Sequence, residues 1–528
     1  MDILTLLNCL LIASAAFHLA MRYKVDLQMM QQNSYRNNRY ILWWKTNSDY
    51  ASISRIVDVG VLLLLFTPFP STVTISIASL TFIIKGITIL KKKHKKPLVF
   101  TNRVWRLYIT MLVFSIIFIL GAILGAYPFW GMATGISLTV MSAISWLILI
   151  ACNQAMKPIE NAINQMYYND AKRLLESMPD MKIIGITGSY GKTSTKHYLH
   201  RILSEQFDVL MTPGSFNTPM GVIRTIREMM KPYNDVFIVE MGAKQLGDIK
   251  DICDLVHPEI GIVTAVGEQH LESFKSIENV QRTKFELVDT LPENGLAVVN
   301  DDFEYIRNRQ ISNVKTLRYG IRNTENANFT ATEIEYDEYG THFTVCGEGK
   351  ELRLDTKLVG ECNISNLIGA VIVAMKLGVS DEKIKYAVSK IEQVEHRLNM
   401  KRTPGGVTII DDAFNSNPDG SKMALDVLSR MKKGKRIVIT PGMIELGDKQ
   451  HYHNANFGEH IAKCCDIAII VGQYNRNAIL EGISRDKSFP QENVIVVDTF
   501  NEAQTKLSTI ITAGDTVLYE NDLPDTFK

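Results

Sequence analysis

Long apolar runs recur up to residue 152 and are absent beyond it. They are Ile3 to Met21, Ile56 to Pro70, Val73 to Leu90, Ile109 to Tyr127 and Met132 to Cys152. Most approach the roughly 20 residues that cross the hydrocarbon core of a bilayer, and Ile56 to Pro70 is the shortest. The first run opens on Asp2, lacks a basic flank and shows no small-residue cleavage site, so it reads as a retained anchor and not a signal peptide. Between the runs the charge is uneven. Arg22, Lys24, Arg36, Arg39, Lys45 and Arg55 follow the first, and Lys91, Lys92, Lys93, Lys95, Lys96, Arg103 and Arg106 follow the third, whereas the other two connections carry no charge. Short cytoplasmic loops collect Lys and Arg. The pattern therefore predicts a transmembrane domain over 1–155 with five helices, the N-terminus outside and the rest of the chain cytoplasmic. Trp43, Trp44, Trp105 and Trp130 fit interfacial anchors. Asp58 and Lys85 fall near cytoplasmic helix ends, where both are expected to snorkel to the headgroups.

After a helical linker over 156–180, the pattern changes to short apolar strands separated by helix-length segments. Met181 to Thr187, Val236 to Glu240, Ile260 to Ala265, Leu296 to Asn300, Val407 to Asp411, Arg436 to Thr440, Ile467 to Gly472 and Val494 to Val497 read as strands. Such alternation predicts α/β domains with mainly parallel sheets. Tyr319 to Leu358 instead alternates within short strands and suggests a small antiparallel insert. A second change near Glu395 divides the region into a central domain, 181–394, and a C-terminal α/β domain, 395–528.

Net charge is only +1 and charged residues are 21% of the chain, so the clear basic excess of a nucleic-acid-binding protein is missing. The seven cysteines are odd in number and scattered, which fits a reducing compartment better than a disulfide framework. His451, His453 and His460 have no Cys or carboxylate at zinc spacing and read as a helix with exposed histidines.

The strongest chemical signal is Gly188-Ser189-Tyr190-Gly191-Lys192-Thr193, set between a predicted strand and a predicted helix. The backbone N–H groups of such a turn face phosphates, and the helix N-terminus adds a favourable dipole. Lys192 would reach the terminal phosphates while the Thr193 hydroxyl binds magnesium. Ile186 stands where the common phosphate loop has its first glycine, leaving the form T-G-x-x-G-K-T.

Six ordered segments then resemble the Mur ligase family, most closely its D-alanyl-D-alanine-adding branch. They are ITGSYGKTSTK, VEMGAKQLGDI, IVTAVGEQHLESFKSIENVQRTKFEL, LVGECNISNLIGA, IIDDAFNSNPDG and PGMIELG. The resemblance runs from about Ile183 to Leu518. It implies a P-loop central domain, a Rossmann-like C-terminal domain, and an ATP- and Mg2+-dependent ligase that makes an acyl phosphate and then an amide. It further implies that Glu240 and Thr193 hold one magnesium and that His270 and Lys284 hold a second, with Lys284 carbamylated. Arg397 would approach the γ-phosphate. Ser194, Asn363, Asn366, Asp412, Asn415 and Asn417 would contact the nucleotide together with the loop. Each asparagine also has a purely structural reading as a cap or turn residue.

Departures from the family bear on the substrate. The membrane helices replace the domain that holds a uridine nucleotide, so the acceptor is lipid-linked or held by another partner. Asn217-Thr218-Pro219-Met220-Gly221 alters an acceptor segment, Cys362 replaces a histidine, and Glu520, Asp522 and Asp525 turn a basic C-terminal turn acidic. The expected function is an amide ligase joining an amino acid or dipeptide to a peptidoglycan-precursor carboxylate at the inner membrane face, in contact with membrane lipid and without nucleic acid. The alternatives are a polyglutamate-capsule type synthetase and an inactive scaffold for envelope enzymes.

Overall fold

The computed structural model describes residues 3–46, 48–65, 71–92, 96–125, 130–336, 340–413 and 416–522. The chain forms two compact units, Met1–Gln165 and Met166–Leu523.

The first unit is helical: α1 Ile3–Gln32, α2 Asn37–Thr46, α3 Ser48–Leu65, α4 Ser71–Lys91, α5 Asn102–Gly125, α6 Trp130–Ala143 and α7 Ser145–Glu176. Helix α1 continues well beyond the apolar run, so Arg22 and Lys24 lie within a helix and not in the predicted loop. By length and composition three helices can cross a membrane, Ile3–Gln32, Thr72–Lys91 and Asn102–Gly125. A fourth arises only if Ala133–Ala143 and Ser145–Glu176, bent by 77°, act as one. The expected five are thus not matched. The apolar part of α3 is only Ile56–Leu65, about 15 Å at 1.5 Å per residue, and the last run is broken beside Ser145, whose hydroxyl donates to Asp26 at 2.5 Å. Counting apolar residues registers the shortness of that run but not the break at Ser145.

Contacts fix the helix directions. Gln28 and Gln32 at the end of α1 donate to the Lys96 carbonyl at 2.8 and 3.0 Å, just past α4, and His18 stacks on Phe82 with centroids 5.4 Å apart. Helices α1 and α4 therefore run the same way. Helix α6 runs with them, since Leu11 fills the space a Cβ at Gly135 would take while Asp26 meets Ser145. Helix α5 runs opposite, with Tyr23 bonded to Ser115 at 2.8 Å and Gln31 to Val99 at 2.9 Å.

The snorkelling expectation for Asp58 and Lys85 fails. Asp58 is fully buried and ion-paired with Lys85, and His18 Nδ1 lies 3.9 Å from its Oδ1. Opposite charges on neighbouring helices neutralise each other in place, which removes the need to reach the headgroups. Trp44 stacks on Trp146 at 4.2 Å and Trp43 is buried, so both pack inside the bundle. Trp105 is about half exposed, as an interfacial anchor requires, and the Trp130 side chain lies outside the described residues.

The second unit holds two sheets. The first comprises β1 Lys182–Thr187, β2 Val209–Met211, β3 Val236–Glu240, β4 Ile260–Val263, β5 Leu296–Asn300, β6 Lys315–Gly320, β7 Phe329–Tyr336, β8 Thr341–Gly347 and β9 Lys350–Thr356. Their order is β2-β3-β1-β4-β5-β6-β7-β8-β9. It is parallel as far as β7 and antiparallel through β7, β8 and β9. The expected insert is therefore a continuation of the main sheet, because Tyr319 and Gly320 pair with Phe329 and Thr330. Continuous apolar strands such as β3 are buried on both faces, as a parallel sheet between helical layers demands. Ile184 and Ile186 pack toward the helices Lys192–Leu203 and Glu361–Lys376, whereas Ile183 packs toward Pro219–Met229 and Asp248–Val256.

The second sheet comprises β10 Asn399–Arg402, β11 Thr408–Asp412, β12 Arg436–Thr440, β13 Ile467–Val471, β14 Val494–Val497 and β15 Thr516–Glu520. Their order is β10-β11-β15-β12-β13-β14, with only β10 antiparallel. The helices Pro418–Ser429 and Gln450–Cys464 cover one face, and Phe500–Ile510 covers the other.

Candidate active site

Strand β1 ends at Thr187 and the helix Lys192–Leu203 begins after four intervening residues. Sterics dictate the glycines of the turn between them. Gly191 has φ 84°, and a Cβ there would stand 2.3 Å from Asn366 Oδ1. A Cβ on Gly188 would stand 2.1 Å from Thr264 Oγ1. Thr264 in turn donates to the Tyr190 carbonyl at 2.5 Å, and the Ser189 hydroxyl bonds the Gly267 carbonyl at 3.1 Å. The turn is thereby fixed from β4 and the loop after it.

A cleft opens above the turn, lined by Ser189 to Ser194, Asn217, Glu240 and Asn366 on one side. From the second sheet and its approaches come Arg397, Asp412, Ser416 and Asn417. Lys192 donates to the carbonyls of Gly188 and Ser189 at 2.7 and 3.1 Å. Burial brings its pKa down to about 8, opposed by Glu240 and assisted by Arg397. Two cations facing one concave space suit a polyanionic ligand.

Glu240, at the end of β3, is buried. It accepts from Thr193 at 3.2 Å, Asn217 at 3.0 Å and Lys196 at 2.9 Å. Burial opposes its ionisation, but the charges of Lys196 and Lys192 outweigh that and hold it below the usual carboxylate range. The Thr193 hydroxyl and the Glu240 carboxylate form an oxygen pair that suits a hard cation such as Mg2+.

His270 and Lys284 do not line the cleft. Lys284 is buried, and among the described residues it forms no hydrogen bond or ion pair. Its ammonium position lies 6.0 Å from the centroid of the Phe274 ring. Burial pushes its pKa well below the usual lysine value, with Lys192 adding to the effect. A buried amine whose charged form is disfavoured suits carbamylation, which would convert it to an anionic ligand; as an ammonium it cannot ligate. His270 bonds through Nδ1 to Glu445, and among the described residues its Nε2 has no partner.

Several predicted contacts have local structural duties. Asn363 accepts from Tyr198 at 2.9 Å and donates to the Val359 carbonyl at 2.8 Å. Asn417 caps the helix Pro418–Ser429 by accepting from Gly420 N at 2.9 Å, though it also lines the cleft. Asn415 lies outside the described residues. Glu520 is not on an exposed acidic turn: it is buried at the end of β15, paired in register with Asp412 and bonded to Ser416. Asp522 is exposed, and Asp525 lies outside the described residues. His451, His453 and His460 face three separate carboxylates, Glu481, Glu268 and Asp426. The expectation of exposed histidines without a nearby thiol or carboxylate fails at two of them: His453 is largely buried, and Asp426 and Cys464 both lie beside His460.

Sequence reasoning passed over Lys196, Thr264, Asp419 and Glu445. Lys196 stands four residues beyond Lys192, which on a helix places both on one face. Asp419 accepts from the Tyr190 hydroxyl at 2.7 Å, and no local pattern indicates that contact, since 229 residues separate the pair.

Residues 186–374 match the Mur ligase middle domain and residues 396–519 the Mur ligase glutamate ligase domain, together more than half of the chain. The chain belongs to the Mur ligase family. It is similar to the UDP-N-acetylmuramoyl-tripeptide–D-alanyl-D-alanine ligase of Bacillus subtilis, 29% identical over 294 residues that make up 55% of this chain and 62% of that protein. It is likewise similar to the enzyme of the same name from Escherichia coli, 32% identical over 280 residues, 53% of this chain and 61% of that protein. The chain thus spans about three fifths of these curated relatives. Among solved structures it is similar to MurF from Acinetobacter baumannii, with TM-score 0.62 and 25% identity, covering 68% of this chain and 77% of that one. The fold of Thermotoga maritima MurF, solved in complex with ADP, is also shared, with TM-score 0.61 and 24% identity over 68% of this chain and 80% of that one. In this Mur ligase the matched regions contain every residue of the cleft described above.

Proposed function

We propose that this Mur ligase joins a peptidoglycan-precursor carboxylate to an amine at the expense of ATP, in the manner of MurF, on the cytoplasmic face of a membrane. The observation that carries the reading is the convergence of the phosphate loop and Arg397 on one cleft. The acceptor carboxylate oxygen attacks the γ-phosphorus, ADP leaves, and an acyl phosphate forms. The amine nitrogen then attacks the carbonyl carbon, loses a proton, and phosphate departs. Phosphoryl transfer of this kind depends on positioning and charge neutralisation. Lys192 and Arg397 supply cationic donors, and the backbone of Gly188 to Thr193, with Ser194 beginning the helix, cradles the phosphates. Asn366, Asp412 and Asn417 flank the nucleotide. Thr193 and Glu240 would hold one Mg2+, and His270 with carbamylated Lys284 a second; bound there, the metal would neutralise phosphate charge. The second sheet serves as a Rossmann-like lid. Reading the chain as central domain 181–394 and C-terminal domain 395–528 after the linker 156–180 fits the two separate sheets.

The helix directions support the membrane part. With α1, α4 and α6 running one way and α5 the other, the chain between α1 and α4 must return along the bundle. The same directions put Arg36, Lys96, Arg103 and Arg106 at one end, together with Asn153 and Glu160, which agrees with a cytoplasmic ligase region. An acceptor carried on a lipid phosphate is the natural substrate for such an anchored enzyme.

The test is to give the detergent-solubilised chain ATP, Mg2+, D-alanyl-D-alanine and either nucleotide-linked or lipid-linked muropeptide, then read product masses. Phosphate release should require the acceptor and fall at least about 100-fold in Lys192→Ala. Full turnover in that variant would sink the assignment. Product from the nucleotide-linked form alone would reject the lipid-linked acceptor.

A further inference from the structure

The loop that follows β12 carries Glu445 against the segments that follow β3 and β4 of the first sheet. Its carboxylate binds His270 Nδ1 through Oε2 and the Lys244 ammonium through Oε1 at 3.3 Å, and its carbonyl accepts from Glu272 N at 3.3 Å. Both partners are held in left-handed backbone conformations, φ 54° at His270 and 62° at Glu445. Non-glycine residues rarely adopt that region, and such conformations persist only where the surroundings over-determine them. Here each backbone throws its side chain toward the other. Both side chains are largely buried, 14% and 19% exposed, so the contact is a constructed one and not an incidental surface pair.

An imidazole that donates its Nδ1 proton to a carboxylate has its tautomer fixed, with the lone pair on Nε2. Metal-bound histidines are oriented in this way, and loss of the carboxylate typically costs 10–100-fold in metal affinity. In this chain the carboxylate comes from the C-terminal domain, while the histidine and Lys284 belong to the central one. We propose that Glu445 is a positioning residue that fixes His270 for metal binding, so that the second metal position is complete only when the C-terminal domain is docked. The inference rests on the reading of His270 as a metal ligand. It gives the PGMIELG loop a defined duty and provides a physical coupling between domain closure and phosphoryl transfer.

The test uses the full chain in detergent with Mn2+ as a paramagnetic substitute for Mg2+ and a non-hydrolysable ATP analogue. Mn2+ affinity is read by EPR titration, and histidine ligation by the 14N coupling in pulsed EPR. The wild type should show the coupling. Glu445→Ala should weaken one Mn2+ by about 10–100-fold and diminish the coupling, with nucleotide-analogue affinity unchanged, which also reports a folded cleft. Glu445→Gln retains an acceptor and should fall between the two. Loss of coupling in His270→Ala but not in Glu445→Ala would overturn the role of Glu445 alone. No coupling in the wild type, or unaltered affinity in His270→Ala, would overturn the metal reading and the inference with it.

Discussion

Glu520 shows how far a residue's setting can depart from what its neighbours in sequence imply. Read along the chain it opens an acidic turn, yet it is buried against Asp412, and its Oε2 has no hydrogen-bond partner among the described residues. Burial pushes its pKa well above the usual carboxylate value, and Asp412 adds to the shift. Burial likewise brings Asp412 up to about 6. A carboxyl whose folded-state pKa is raised binds more protons in the folded than in the unfolded chain, so stability falls as pH rises from the unfolded pKa through the folded one. For this pair the loss begins above about pH 4 and continues past 6. Glu520→Gln should therefore raise the melting temperature at pH 8 by a few degrees, about 1–3 kcal/mol, and change little at pH 4. An unchanged pH slope in differential scanning fluorimetry would remove the carboxyl-pair account. The phosphate loop, by contrast, was legible from its own residues, because its glycines answer to local sterics.

At the scale of elements, strands such as Val236–Glu240, Leu296–Asn300 and Arg436–Thr440 were readable to the residue, since apolar runs buried on both faces end where turn residues begin, and so was Val494–Val497, an edge strand that is only partly buried. The short β2 and the antiparallel β10 escaped notice, as three or four residues give too little pattern and β10, with Lys401 and Arg402 exposed, is only partly apolar. Helices α3 and α4 illustrate pairing that no single helix reveals. Asp58→Asn removes the carboxylate partner of Lys85 inside the bundle and should cost about 3–5 kcal/mol. The exchange Asp58→Lys with Lys85→Asp should recover much of that loss. Thermal stability in detergent is the measurement, and an exchange no better than the single change would argue that the pair does not act through mutual charge.

For the whole molecule, the arrangement of the helical unit predicts its orientation in a membrane. Cys9 is exposed near the start of α1, and Lys96 belongs to the opposite end of that helix by its contacts. In intact cells a membrane-impermeant maleimide should label Cys9, whereas Lys96→Cys in a Cys9→Ser background should react only after permeabilisation. Equal labelling of both in intact cells would refute the proposed topology.

The sequence by itself determined the family, the α/β alternation, the phosphate loop and an apolar helical region, because each rests on residues close together in the chain or on ordered motifs. Only the tertiary structure decided what the distant groups do. It sent Asn363 to Tyr198, Asp419 to Tyr190, Glu445 to His270 and Asp58 to Lys85, and it closed the antiparallel strands onto the main sheet. Those outcomes depend on which surfaces meet when sheets and helices pack, and a buried charge or polar group takes whichever partner that packing brings within reach.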